Sequence, residues 1–156
     1  MFVYSVEQIR LINFFYCPYF IQLVVHVGVS GSAQELTLET QAFNTGYGSL
    51  DITGHLPKDG VCVEGCPERL ESAIDMRAIC QNVNSCQCDV ISCVSTDPGR
   101  YLCDFIYYTS LHIDKSRAAF VHVPPLDKPY SALQLAQALK LVIIKMLDQV
   151  RQNDCK

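Results

Sequence analysis

The chain has no run of basic residues. Its 12 Lys and Arg are outnumbered by 16 Asp and Glu, which leaves a net charge of −4. Binding driven by phosphate contacts therefore has little to work with, and nucleic acid is not an expected partner. A polybasic attachment to a membrane surface is equally unsupported. Charged residues make up only 18% of the chain and apolar ones 49%, a globular rather than a disordered balance. There is no internal repeat, no low-complexity tract and no clear linker, and 156 residues suit one domain with a real core. A phosphate-binding glycine loop, a G-x-S-x-G elbow and an H-E-x-x-H helix are all missing, which removes three common routes to catalysis.

Cysteine, by contrast, is abundant. The nine are Cys17, Cys62, Cys66, Cys80, Cys86, Cys88, Cys93, Cys103 and Cys155. An odd number on a chain of this length does not read as a disulfide framework, and a reducing compartment, the cytoplasm, is the simpler expectation. Several of these thiols are expected to serve as small apolar core residues. Cys62 and Cys66 are spaced C-x3-C, and Cys86 and Cys88 C-x-C. Neither is the usual zinc knuckle, and His55 adds little, so neither a metal nor another cofactor is expected.

The N-terminal third allows two readings. Leu11 to Val29 is mostly apolar and follows Arg10, as in a leader or a membrane span, and Gly31–Ala33 leaves room for a cleavage site. Asn13, Pro18, Gln22 and His26 inside the run are costly in lipid. The other reading makes "QLVVHVGVSG" an internal strand running into a glycine turn.

Further along, "LVVHVGV" from Leu23 is continuous and β-rich, as for a strand covered on both faces. Glu35–Leu38 alternates and reads as a second strand. Gly46 to Gly65 reads as loop. Glu68 to Val83 has helical spacing through Leu70, Ile74, Met76 and Ile79, and "CDVISCVS" from Cys88 reads as a buried strand. "DPGR" at Asp97–Arg100 has the type II turn pattern, with Pro at the second position and Gly at the third. A helix is predicted from near Tyr101 to near His112, then a strand "AAFVHV" from Ala118 that Pro124 and Pro125 stop. Ser131 is a plausible N-cap for a last helix striped by Leu135, Leu139, Val142, Met146 and Val150. Strands alternating with helices imply an α/β sheet with helices on its faces.

Within this scheme Cys103 falls in the first turn of a helix. The partial positive charge and free N–H groups there favour a thiolate and can bind an oxyanion. By position alone, a nucleophile and one more core cysteine are evenly matched. His112 lies nine residues along the same helix, half a turn out of phase and a rise of roughly 13 Å away, so it cannot serve Cys103. His55 sits in a loop. His26 and His122 are both in strands, and His122 is near a strand end, where open α/β sheets build their sites. Glu39, at the end of "LTLE", stands out among the carboxylates as a group to orient an imidazole, although a solvated strand end is the commoner role for such a residue.

"LVVHVGVSG", "TLE", "DPGRYLCDFIYYTSL" and "AFVHVPPL.KPY" resemble the pyroglutamyl peptidase I family, cysteine peptidases that remove an N-terminal pyroglutamate. The resemblance runs from about Gln22 to the final helix, which divides the chain into a non-family apolar segment, residues 1–21, and a family-like domain, residues 22–156. It implies a three-layer α/β/α sandwich, incomplete at its N-terminus, and a pyroglutamyl peptide as substrate. Carried over by motif, the family's catalytic Glu, Cys and His fall on Glu39, Cys103 and His122. Val29 and the backbone at Leu102 match positions in the substrate pocket. Two departures stand out. Pro98 replaces an alanine, which a Pro-Gly turn tolerates. Residues 1–21 hold nothing like the family's Gly-Phe-x-Pro-Phe loop, whose aromatics wall the pyroglutamate pocket. An intact triad facing an incomplete pocket, hence a weak or inactive form, is the alternative expectation.

Overall fold

The computed structural model describes residues 22–86 and 88–155. Expectations for residues 1–21 lie outside these. The described residues form strands β1 (Val24–Val29), β2 (Leu36–Glu39), β3 (Gln41–Phe43) and β4 (Arg69–Glu71), then helix α1 (Met76–Ser85), strand β5 (Ser92–Ser95), helix α2 (Leu102–Asp114), strand β6 (Ala118–Val123) and helix α3 (Ala132–Asp154).

Four strands make one sheet in the order β1-β6-β2-β5. β1 runs parallel to β6 and β2 parallel to β5, while β6 and β2 are antiparallel, so the sheet is mixed. β3 and β4 form a separate antiparallel pair.

Side-chain alternation on β6 sorts the layers. Ala119 and Val121 join Leu36 and Leu38 of β2 in a buried cluster with α1 (Met76, Ile79, Val83) and α3 (Leu135, Ala138, Val142, Met146, Val150). Ala118 and Phe120 turn to the other face and pack with Phe105, Tyr107, Tyr108 and Leu111 of α2, together with Ala42 and Tyr47. The result is two helices, a sheet, then one helix: the three layers of an α/β/α sandwich. In α3 every predicted stripe position except Leu139 is buried, and Leu139 packs partly buried against the same cluster. Ser131 caps α3 through a reciprocal capping box with Gln134.

Three expectations need correction. The helix predicted from Glu68 begins at Met76, where the Asp75 carboxylate accepts from Ala78 N at 2.9 Å. The stretch before it is β4, whose Leu70 lies opposite Ala42; one apolar residue fits either period, and pairing with β3 decided it. The strand predicted from Cys88 is confined to Ser92–Ser95, because Cys88 to Ile91 belongs to the connection between α1 and β5. β1 is not covered on both faces by the described residues. It is the edge of the sheet among the described residues, and Val27 and Val29 are 47% and 58% exposed. The run of valines reflects β propensity more than burial.

Candidate active site

Glu39 and His122 are placed by the sheet. Antiparallel pairing sets Thr37 opposite His122 and Glu39 opposite Phe120, with all four side chains on the α2 face. From there Glu39 Oε1 lies 2.9 Å from His122 Nδ1, and both residues are buried. The Tyr107 hydroxyl of α2 donates to the Glu39 carbonyl at 3.0 Å and fixes the end of β2. The second carboxylate oxygen, Oε2, is buried and has no partner among the described residues. A carboxylate this enclosed favours a positively charged neighbour.

Cys103 is placed by the turn and helix that follow β5. Gly99 adopts φ 85°, the left-handed value that the third position of a type II turn requires. Tyr101 is the N-cap of α2 and provides no side-chain hydrogen bond, so the thiol sits in an uncapped first turn. The Tyr101 hydroxyl instead donates to the Leu50 carbonyl at 3.1 Å. The thiol is partly buried and lies directly against β1 at Gly28: a Cβ there would sit 3.1 Å from Cys103 Sγ and 2.9 Å from Phe120 Cζ. Only glycine permits the helix start, the Phe120 ring and the strand to come this close.

The imidazole of His122 links the two halves. Burial alone pulls its pKa down. The neighbouring Cys103 and Glu39 outweigh burial and lift it to about 9. A protonated imidazole beside the Glu39 carboxylate is what this arrangement favours.

The other histidines fall elsewhere. His26, two residues before Gly28, lies 2.8 Å from the Ser110 hydroxyl, and burial pushes it down to about 4, so it is neutral in the fold. His55 is held within its own loop, 2.9 Å from the Thr53 hydroxyl. His112 lies near the far end of α2, its Nδ1 3.7 Å from Cys66 Sγ. Among the described residues no three His, Cys, Asp or Glu side chains converge as metal ligands would, and Cys66, Cys80, Cys86, Cys88, Cys93, Cys103 and Cys155 are free thiols.

The two expected pocket positions differ. Leu102 opens α2 beside Cys103, so its amide belongs to the same uncapped turn. Val29 follows Gly28, so its side chain leaves the opposite face of β1, away from Cys103. Only its backbone remains at the strand end near the thiol. A groove of about 500 Å³ opens beyond the ends of β1 and β6, lined by Gly31–Gln34, Pro125, Lys128 and Pro129, and not by Cys103, His122 or Glu39. Gly28 and Phe120 escaped the sequence reading. A lone glycine inside a strand pattern was the available signal for close approach.

The fold and this geometry define a three-layer α/β protein with a cysteine at a helix start, facing a strand histidine backed by a buried glutamate. Comparison with known proteins narrows the class. The family model described as "Putative pyroglutamyl peptidase PgaPase_1" matches residues 14–127, and the chain belongs to the pyroglutamyl peptidase family. It is 53% identical over 135 residues to pyroglutamyl-peptidase 1 of Homo sapiens, covering 86% of this chain, and 46% identical over 129 residues to the human pyroglutamyl-peptidase 1-like protein, covering 83%. The chain spans 65% of the length of each of these relatives. Among solved structures, pyrrolidone carboxyl peptidase from Thermococcus litoralis superposes with a TM-score of 0.82 at 20% identity, over 96% of this chain and 76% of that one. At that identity the likeness concerns the fold alone.

Proposed function

We propose that the chain is a thiol exopeptidase that hydrolyses the bond after an N-terminal pyroglutamate, with Cys103 as nucleophile, His122 as acid and base, and Glu39 as the group that orients it. The observation that carries this reading is the position of His122, 2.9 Å from buried Glu39 and paired across the sheet with Gly28, the residue against which the Cys103 thiol lies. Family membership supplies the substrate class.

In this mechanism His122 takes the Cys103 proton. The thiolate attacks the pyroglutamyl carbonyl, and first-turn amides of α2, Leu102 among them, receive the developing oxyanion. The carbon–nitrogen bond then breaks, His122 hands its proton to the leaving amine, and a thioester remains. Water, deprotonated by the same imidazole, releases pyroglutamate and restores the thiol. Glu39 keeps Nδ1 protonated and stabilises the cation. The substrate ring carries no ammonium group, so apolar walls and a few backbone hydrogen bonds suffice to hold it. A reducing cytosol keeps the thiol available.

A second reading, a weak or inactive form, is favoured by one feature: the groove beyond the ends of β1 and β6 is not lined by Cys103, His122 or Glu39. Hydrolysis of a fluorogenic pyroglutamyl amide separates the two. The first reading expects turnover that Cys103→Ala reduces by about a thousand-fold or more. A folded chain without turnover, whose Cys103 alkylates no faster than its other cysteines, overturns it in favour of the second.

A further inference from the structure

Asp104 follows Cys103 in the first turn of α2 and is completely buried, and the chemistry above does not use it. Its Oδ1 accepts from Phe43 N at 2.9 Å. Its Oδ2 faces the Tyr47 hydroxyl at 3.0 Å and Arg100 Nη1 at 3.4 Å. The Tyr47 hydroxyl also lies 2.5 Å from the Phe43 carbonyl. That hydroxyl has one hydrogen and two acceptors to serve.

Two proton arrangements resolve this contest. With Asp104 ionised, Arg100 and Tyr47 both turn donors toward Oδ2. With a proton on Oδ2, Asp104 donates to the Tyr47 oxygen, Tyr47 donates to the Phe43 carbonyl, and Arg100 loses its acceptor on α2. Arg100 then keeps only Asp97 Oδ1 at 2.7 Å and the Gly99 carbonyl at 2.9 Å, both in the turn before the helix. Its guanidinium also lies over the Phe43 ring, 3.6 Å from the centroid. The proton on Asp104 thus decides whether the turn is fastened to the first turn of α2.

We propose that Asp104 is a positioning residue for Cys103: its carboxyl group, by holding or releasing Arg100, fastens the Asp97–Arg100 turn and the Phe43–Tyr47 segment to the helix start that carries the thiol. The charged and titratable groups around it are Tyr47 from the loop after β3, with Cys62 behind it, Arg100 and Asp97 from the turn, and Cys103 on its own helix. Burial pushes Asp104 up to about 7, against the lowering effect of Phe43 N, Tyr47 and Arg100, and Asp97 adds to the rise. Burial also drives Tyr47 far above the usual tyrosine range, so it stays protonated throughout. Both arrangements are therefore populated near neutral pH. The proposal rests on the reading of Cys103 as nucleophile for its catalytic consequence alone.

The test is the rate of iodoacetamide alkylation at Cys103 against pH, read by peptide mass spectrometry, in the full chain and in Asp104→Asn. Asparagine keeps an oxygen for Phe43 N and offers its amide to Tyr47, so it imitates the protonated acid at every pH. The wild-type rate should rise through a lower inflection near 7 and an upper one near 9. Asp104→Asn should lose the lower inflection and keep the upper. A lower inflection unchanged in the variant, or absent from the wild type, overturns the proposal. Should Asp104→Asn fail to fold, Arg100→Gln removes the charge that lowers Asp104 and must move the lower inflection upward; an unmoved inflection overturns the proposal equally. Alkylation needs no substrate. An inactive chain with the Asp104-dependent profile sinks the peptidase reading alone, and an active chain without it sinks this proposal alone.

Discussion

Helix α2 carries two cysteine–histidine contacts, one near each end, and they differ in nearly every respect that matters chemically. At its start Cys103 meets His122, which is buried and backed by Glu39 at 2.9 Å. Near its end His112 meets Cys66 at 3.7 Å, and among the described residues no carboxylate stands behind His112. The helix itself favours an anion at the first end and a cation at the second. A thiol beside an imidazole is not by itself a nucleophile. The third group, the burial and the sign of the helix end separate the two pairs.

The sharpest way to break the contrast is to remove what only the first pair has. Glu39→Gln should lower turnover of the pyroglutamyl amide by about 10²–10⁴-fold, as loss of an orienting carboxylate does. It should also move the upper alkylation inflection of Cys103 down from near 9 and leave Cys66 unaffected. Equal effects on both thiols would erase the distinction.

Stability against pH gives a second handle. His122 has a folded pKa of about 9 against an ordinary 6.5, so the folded protein holds the proton more tightly. Its contribution is fully present below about 6.5 and lost as pH rises through about 9. Urea unfolding between about pH 6 and about pH 10 should show a loss on the order of 1–3 kcal/mol from this group, absent in His122→Gln and retained in His112→Ala. A wild-type curve parallel to that of His122→Gln refutes the assignment.

Gly28→Ala tests the close approach. The added methyl would meet Phe120 at 2.9 Å and Cys103 at 3.1 Å, neither of which can yield freely. A destabilisation of about 1–3 kcal/mol is expected, with a changed alkylation rate at Cys103 and none at Cys66. The smallest effect is expected at the second pair. His112→Ala should alter Cys66 alkylation by about two- to five-fold, the scale of an exposed charge at a helix end.

Much of this was legible in the order of residues. "AAFVHV" became β6 with both predicted ends intact, since a short apolar run and the two prolines that follow it agree. Ser131 capped α3 and Gly99 took the positive φ expected of it, because each depends on contacts within a few positions. The stretch Glu68–Val83 misled for the opposite reason. Leu70 and Ile74 fit a helical stripe, but Leu70 lies opposite Ala42, far away in the chain. Val29 misled likewise: alternation turns its side chain from the thiol once Gly28 is seen to face it.

The sequence alone determined the family, through long motifs around Cys103, His122 and Glu39, and the local signals that start and stop α2, β6 and α3. It also excluded His112 from Cys103, since a helix has a fixed pitch. What tertiary structure decided is which distant groups meet. Antiparallel pairing of β2 with β6 brought Glu39 to His122, an uncapped helix start seated on Gly28 brought Cys103 to the same face, and Asp104 found Phe43 and Tyr47. None of these contacts has a short-range signature, because each joins residues whose separation along the chain says nothing about their distance in the fold.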